Sequence, residues 1–94
     1  MSGWRAMASD LRRVTFNYPG SVSGPVALIG SFNQWNPLAH PLRRIDMEWR
    51  IEVFLPPGTY PYAFVIDGQV GRDPTGHAPD GPLGERYSVL TIAD

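Results

Sequence analysis

Apolar and polar residues alternate along most of this chain, and that period-two pattern sets its architecture. Val14, Phe16 and Tyr18 fall on one side of a short segment whose other side carries Arg13, Thr15 and Asn17, the signature of a half-buried strand. Trp49, Ile51, Val53 and Leu55 alternate in the same way with Arg50, Glu52 and Phe54, which places Trp49 among the core residues. After Pro56-Pro57-Gly58, the segment Thr59 to Ile66 puts Tyr60, Tyr62, Phe64 and Ile66 on one face and Pro61, Ala63 and Val65 on the other. The short turn predicts that these last two strands pair as a hairpin.

Val26 to Ile29 is continuously apolar and reads as a central strand ended by Gly30. Pro19 to Pro25 is a loop of Gly, Ser and Pro, and Asp67-Gly68 is a turn signal. Gln69 to Gly84, rich in Gly and Pro, is expected to wrap as a loop before a last strand from Tyr87 to Ile92. Nowhere do apolar residues keep helical spacing over ten residues without a Pro or Gly interrupting. Short strands separated by turns predict an all-β fold, an immunoglobulin-like sandwich in a single domain.

Composition narrows the function classes. With 43% hydrophobic and 18% charged residues in 94, the chain is expected to fold around one modest core rather than remain disordered. It has no Cys, so disulfide staples and thiol chemistry are out and packing alone must hold it, which suits a reducing compartment. Net charge is −1, and the eight basic residues are all Arg, in no run longer than two. Nucleic-acid binding needs clustered positive charge, so that partner is not expected. No apolar stretch reaches membrane-span length, and Met1 to Asp10 lacks the apolar middle of a secretory signal, so no membrane association and a cytoplasmic location are expected. Residues 1–11 read as a flexible lead, which leaves Trp4 unplaced, and residues 12–94 as the folded module.

The ordered segments Gly24-Pro25-Val26-Ala27-Leu28-Ile29-Gly30 and Ser31-Phe32-Asn33-Gln34-Trp35-Asn36 resemble those of the family-48 carbohydrate-binding modules. That family includes the glycogen-binding domain of the AMP-activated kinase beta subunit and the early-set domains that precede isoamylases and branching enzymes. Leu55-Pro56-Pro57-Gly58-Thr59-Tyr60, Tyr62 to Gln69, Asp73-Pro74 and Leu83-Gly84 extend the likeness over about residues 12 to 92. It implies an early-set sandwich that binds glycogen, starch or related α-glucans without a cofactor.

Such binding needs flat apolar surfaces against the C–H faces of glucose, edged by polar groups for the hydroxyls. The resemblance implies Trp35 as one platform and Leu83 as a residue that can thread a glucan ring; Tyr87 offers a replacement stacking face, and Asn33 is a further candidate contact. A second Trp normally follows the Asp-Gly-Gln turn, and Val70 stands in its place. Ala63, Glu85 and Tyr87 replace a Lys, a Thr and an Asn of the kinase-subunit domain. Each residue also has a reading that needs no ligand: Trp35 as a loop anchor, Asn33 bonding its own turn, Tyr87 packed at the start of the last strand.

No catalytic or metal set stands out. Asp67, Asp73 and Asp80 each lie beside Gly or Pro, where Asp commonly shapes turns. His40 and His77 are the only imidazoles and have no Cys partners, so zinc spacing is absent. Calcium-loop, phosphate-loop and nucleophile-elbow patterns are missing too. The expected function is therefore a non-catalytic glucan-binding module. Two alternatives remain: an early-set domain that has lost sugar binding and serves protein interaction or structure, and an accessory domain of a larger glucan-active enzyme.

Overall fold

A computed structural model describes residues 11–74, 76 and 87–94. Among the described residues there are seven strands: β1 (Arg12–Pro19), β2 (Val26–Gly30), β3 (Arg43–Ile45), β4 (Glu48–Leu55), β5 (Gly58–Ile66), β6 (Gln69–Gly71) and β7 (Ser88–Ile92). A 3-10 turn, Ser31–Asn33, follows β2. One sheet has the order β1-β4-β3, and the other the order β2-β5-β6 with β7 also paired to β5. All pairings are antiparallel. Among the described residues no helix is long and apolar enough to cross a membrane.

The period-two reading of faces holds. Val14 lies opposite Val53 and Phe16 opposite Ile51 in the first sheet, while Val26 lies opposite Ile66 and Leu28 opposite Phe64 in the second. Phe16, Val26, Leu28, Leu42, Val53, Leu55, Tyr62 and Phe64 form the buried cluster between the sheets. Aromatic edges bridge the layers: Phe16 meets Tyr62 at 5.1 Å and Tyr18 meets Phe64 at 5.0 Å between ring centroids, geometries that add to simple area burial. Trp49 sits half-buried at the margin of this core, its indole N–H donating to the Val22 carbonyl at 3.0 Å.

The expected hairpin between the strands flanking Pro56-Pro57-Gly58 does not form. β4 belongs to one sheet and β5 to the other, so this connection crosses the core. Both strands carry an uninterrupted apolar face. Placed in opposite layers they bury those faces against each other, whereas side by side they would need a further layer to cover both. Two successive prolines also withdraw N–H donors that a closing hairpin would use. Tyr60 ties the corner, its hydroxyl donating to the Pro56 carbonyl at 2.6 Å.

The hairpin lies one turn later. Asp67 (φ 52°) and Gly68 (φ 84°) are both left-handed, the geometry of a two-residue turn matched to strand twist, and it returns Gln69–Gly71 against Phe64–Ile66. The expected loop from Gln69 therefore begins with a short strand. β3 is a second short strand not foreseen in the alternation.

This topology makes the outward face of the second sheet. β2 lines one edge of β5 over Tyr62 to Ile66, and β7 and β6 follow one another along the opposite edge. Ala27 and Ile29, Ala63 and Val65, and Val70 share that face by register. Val89 joins them opposite Pro61. Pro61 is tolerated within β5 because β2 has ended before it, leaving its nitrogen edge without a partner strand.

Candidate functional site

The chain leaves β2 at Gly30, makes the 3-10 turn, and then places Gln34 (φ 56°) and Trp35 (φ 57°) consecutively in the left-handed region. For residues with a Cβ this conformation costs roughly 1–3 kcal/mol each, and it persists only where surroundings over-determine it. Here the restraints are explicit. The Trp35 N–H donates to the Gly30 carbonyl at 3.0 Å and the Asn36 N–H to the Asn33 carbonyl at 3.1 Å. The result is an indole that is 37% exposed and meets the ring of Tyr87 edge-on, at 5.1 Å between centroids. Of the two readings of Trp35, the ring is thus presented outward with one flank supported.

Asn33 is only 5% exposed. Its Oδ1 accepts from the Gly30 N–H at 3.0 Å, and its Nδ2 donates to the Leu28 carbonyl at 3.0 Å and lies 2.8 Å from His40 Nδ1. The amide is committed inside the loop, as in the reading of Asn33 that needs no ligand, because the backbone groups around the end of β2 need partners when buried. Asn33 braces the loop that carries Trp35.

Tyr87 precedes Ser88, which pairs with Tyr62 and is fully buried. A second polar knot lies here. Tyr62 Oη donates to Asp73 Oδ2 at 2.8 Å, and the Asp73 N–H donates to Ser88 Oγ at 3.0 Å. Ser88 Oγ approaches the Asp73 carbonyl at 3.4 Å, and the Gly76 N–H donates to that same carbonyl at 3.1 Å. Burial, and then the Asp73 carboxylate, push the Tyr62 hydroxyl well above the usual tyrosine range. These bonds fix where β7 starts, and so where Tyr87 stands.

Val70 is 54% exposed on β6 and pairs with Val65. It shares the outward face with Ala63, which is fully buried opposite Ile29. The register thus brings the Val70 and Ala63 positions onto one face, and the ring contact brings Trp35 to Tyr87. Leu83, together with His77, Asp80 and Glu85, lies outside the described residues. Of the carboxylates weighed for acid–base work, Asp67 shapes the β5–β6 turn and Asp73 is held in the Tyr62 knot. Among the described residues no group of three or more His, Cys, Asp or Glu is placed to hold a metal.

Two supports were not read from sequence. His40 was weighed only as a metal ligand, and Ser88 as one more residue of a strand. Ser88 did carry a signal: a hydroxyl at an inward position of an apolar strand needs a buried partner.

Residues 12–94 match the model of a family described as the glycogen recognition site of AMP-activated protein kinase. The chain belongs to that family. Among similar proteins, the beta-1 subunit of 5'-AMP-activated protein kinase from Sus scrofa is 31% identical over 85 residues, covering 90% of this chain and 67% of that sequence. The Bos taurus beta-1 subunit is 33% identical over 84 residues, 89% of this chain and 30% of its own length. The regulatory subunit beta-2 of the SNF1-related protein kinase of Arabidopsis thaliana is 32% identical over 74 residues, 73% of this chain and 24% of its own. Against the last two relatives the chain thus spans a third of their length or less.

Proposed function

We propose that this chain is a non-catalytic module that binds α-glucan chains such as glycogen on the outward face of its second sheet, and that its role is recruitment. The observation carrying the reading is the pair Trp35 and Tyr87. An exposed indole backed by a phenol edge offers the flat apolar surface that the C–H face of glucose packs against. Leu83 completes the surface in this reading, and Val70 occupies the place of a second aromatic platform. Loss of one aromatic anchor typically costs about 2 kcal/mol, or roughly thirty-fold in affinity, so binding is expected to be weak. No chemical step is assigned, since Asp67 and Asp73 serve the fold. A cysteine-free chain stabilised by packing suits the cytoplasm, where we place it.

The test is titration with a linear or cyclic malto-oligosaccharide, followed by amide and indole NMR shifts. Shifts at Trp35 and Tyr87 are expected. No change at millimolar sugar would sink the reading.

A second reading, docking of protein on the same face, is favoured by one feature. The 85%-exposed Leu38 lines an apolar groove with Pro25, Ala27, Pro37 and Val65, and the exposed Val70 pairs with Val65. Sedimentation of the chain across a concentration series tests self-association there, and a monomer at every concentration removes that form of it.

A further inference from the structure

We infer that His40, in its neutral form with the proton on Nε2, is a positioning residue that holds the Trp35 loop in its ligand-ready shape, so that glucan affinity falls when the imidazole is protonated. The inference rests on the glucan-binding reading for its functional consequence and on geometry for the switch itself.

The tautomer follows from the bonds around Asn33. An amide can be turned either way in principle, but here two backbone groups fix it. The Gly30 N–H requires an acceptor, so Oδ1 must face it, and the Leu28 carbonyl requires a donor, so Nδ2 must face that. The same Nδ2 lies 2.8 Å from His40 Nδ1. Nδ1 must therefore accept, which only an imidazole without a proton there can do. A protonated ring carries N–H on both nitrogens and would set donor against donor at this contact.

Among the described residues, the groups that meet the imidazole offer nothing to offset that conflict. Phe32 lies against it edge-on at 6.1 Å between centroids, and Asn33 is the polar contact. The backbone of His40 is itself pinned to β2, its carbonyl accepting from the Leu28 N–H at 2.9 Å, so the ring cannot simply drift away with its segment. Among the described residues no charged or titratable side chain forms an ion pair or hydrogen bond with it. The ring is half-buried, open enough to exchange protons with solvent.

What the clamp controls is the step from Asn33 into the left-handed pair Gln34 and Trp35. A conformation of that kind relaxes when its restraints weaken. Turning Asn33 away frees the Gly30 N–H and loosens the turn that projects the indole toward Tyr87. The loop is therefore firm while the imidazole is neutral and loosened once it takes a second proton.

Three chains decide it: the unaltered protein, His40→Asn and His40→Phe. Asn offers a neutral acceptor near the position of Nδ1 at every pH, whereas Phe fills the ring's space without an acceptor. The primary readout needs no sugar. As pH is lowered from about 8 to 5, the Asn33 side-chain amide, the Trp35 indole and the Tyr87 ring signals of the unaltered chain should shift in step with the His40 ring signals. In His40→Asn the Trp35 and Tyr87 signals should stay flat. If they do not move with His40, or move equally in His40→Asn, the inference is overturned.

Maltoheptaose affinity supplies the second readout. The unaltered chain should weaken about ten-fold more across that range than His40→Asn, and His40→Phe should be weak throughout. Binding that is measurable but equally pH-dependent in the unaltered chain and His40→Asn overturns the inference. An unaltered chain that binds no maltoheptaose at any pH defeats the glucan reading instead, and the sugar-free titration then decides the clamp by itself.

Discussion

The indole of Trp35 and the ring of Tyr87 meet edge-to-face, 63° apart in plane and 5.1 Å between centroids. One arrives from the loop after β2 and the other from the start of β7. The two strands lie on opposite edges of β5, so the surface they share exists only in the folded sheet. The segment carrying each ring is anchored by a separate polar knot, Asn33 with His40 for the first and Asp73, Tyr62 and Ser88 for the second.

Trp35→Ala tests the ring directly. Because the indole is 37% exposed, its loss is expected to change stability by under about 1 kcal/mol, while sugar affinity drops by roughly thirty-fold. Urea unfolding and a malto-oligosaccharide titration on the same preparation separate the two effects.

Val70→Trp should run the other way. The side chain at this position is 54% exposed on a short edge strand, so an indole can be placed there without overpacking the core. An added aromatic platform is expected to raise affinity about ten-fold or more, and an unchanged dissociation constant would show that the Val70 side of the face does not touch the glucan.

Asn33→Ala is expected to be a stability variant. It leaves the buried Gly30 N–H and Leu28 carbonyl without their side-chain partner, at a cost of about 2–4 kcal/mol. A drop in denaturation midpoint with little change in slope checks it, and a cost below about 0.5 kcal/mol would mean that water replaces the amide freely.

Tyr62 sets the alkaline limit. Its hydroxyl is raised above the unfolded value by burial and by Asp73, so the neutral form is the one folding favours. The contribution is fully present below the unfolded value of about 10 and is lost as pH rises above it, toward the folded value. Melting temperature should therefore fall above about pH 10 in the unaltered chain, and Tyr62→Phe should flatten that fall. At neutral pH the same substitution is expected to cost about 1–3 kcal/mol, since Asp73 loses a buried donor.

Much of the fold is legible in the sequence, and the reason is local. A strand that buries one face must alternate, so β1, β4 and β5 announced themselves through Val14 to Tyr18, Trp49 to Leu55 and Tyr60 to Ile66. Asp67-Gly68 likewise carried its turn in two residues. The ordered motif through Trp35 pointed to the family that the match over residues 12–94 establishes. Alternation says which side of a strand is buried but not against which layer. The Pro56-Pro57-Gly58 connection was for that reason misread as a hairpin, and only the core decided that β4 and β5 face each other across it.

The same division runs through the site. Sequence by itself determined that Trp35 follows a tight turn and that Val70 follows the Asp67-Gly68-Gln69 turn. Tertiary structure alone decided that Asn33 turns inward, that His40 supports it, and that Tyr87 reaches the indole from another strand. Those outcomes depend on which buried backbone groups remain unpaired once the sheets have formed, and that quantity belongs to the assembled fold and to no single segment of the chain.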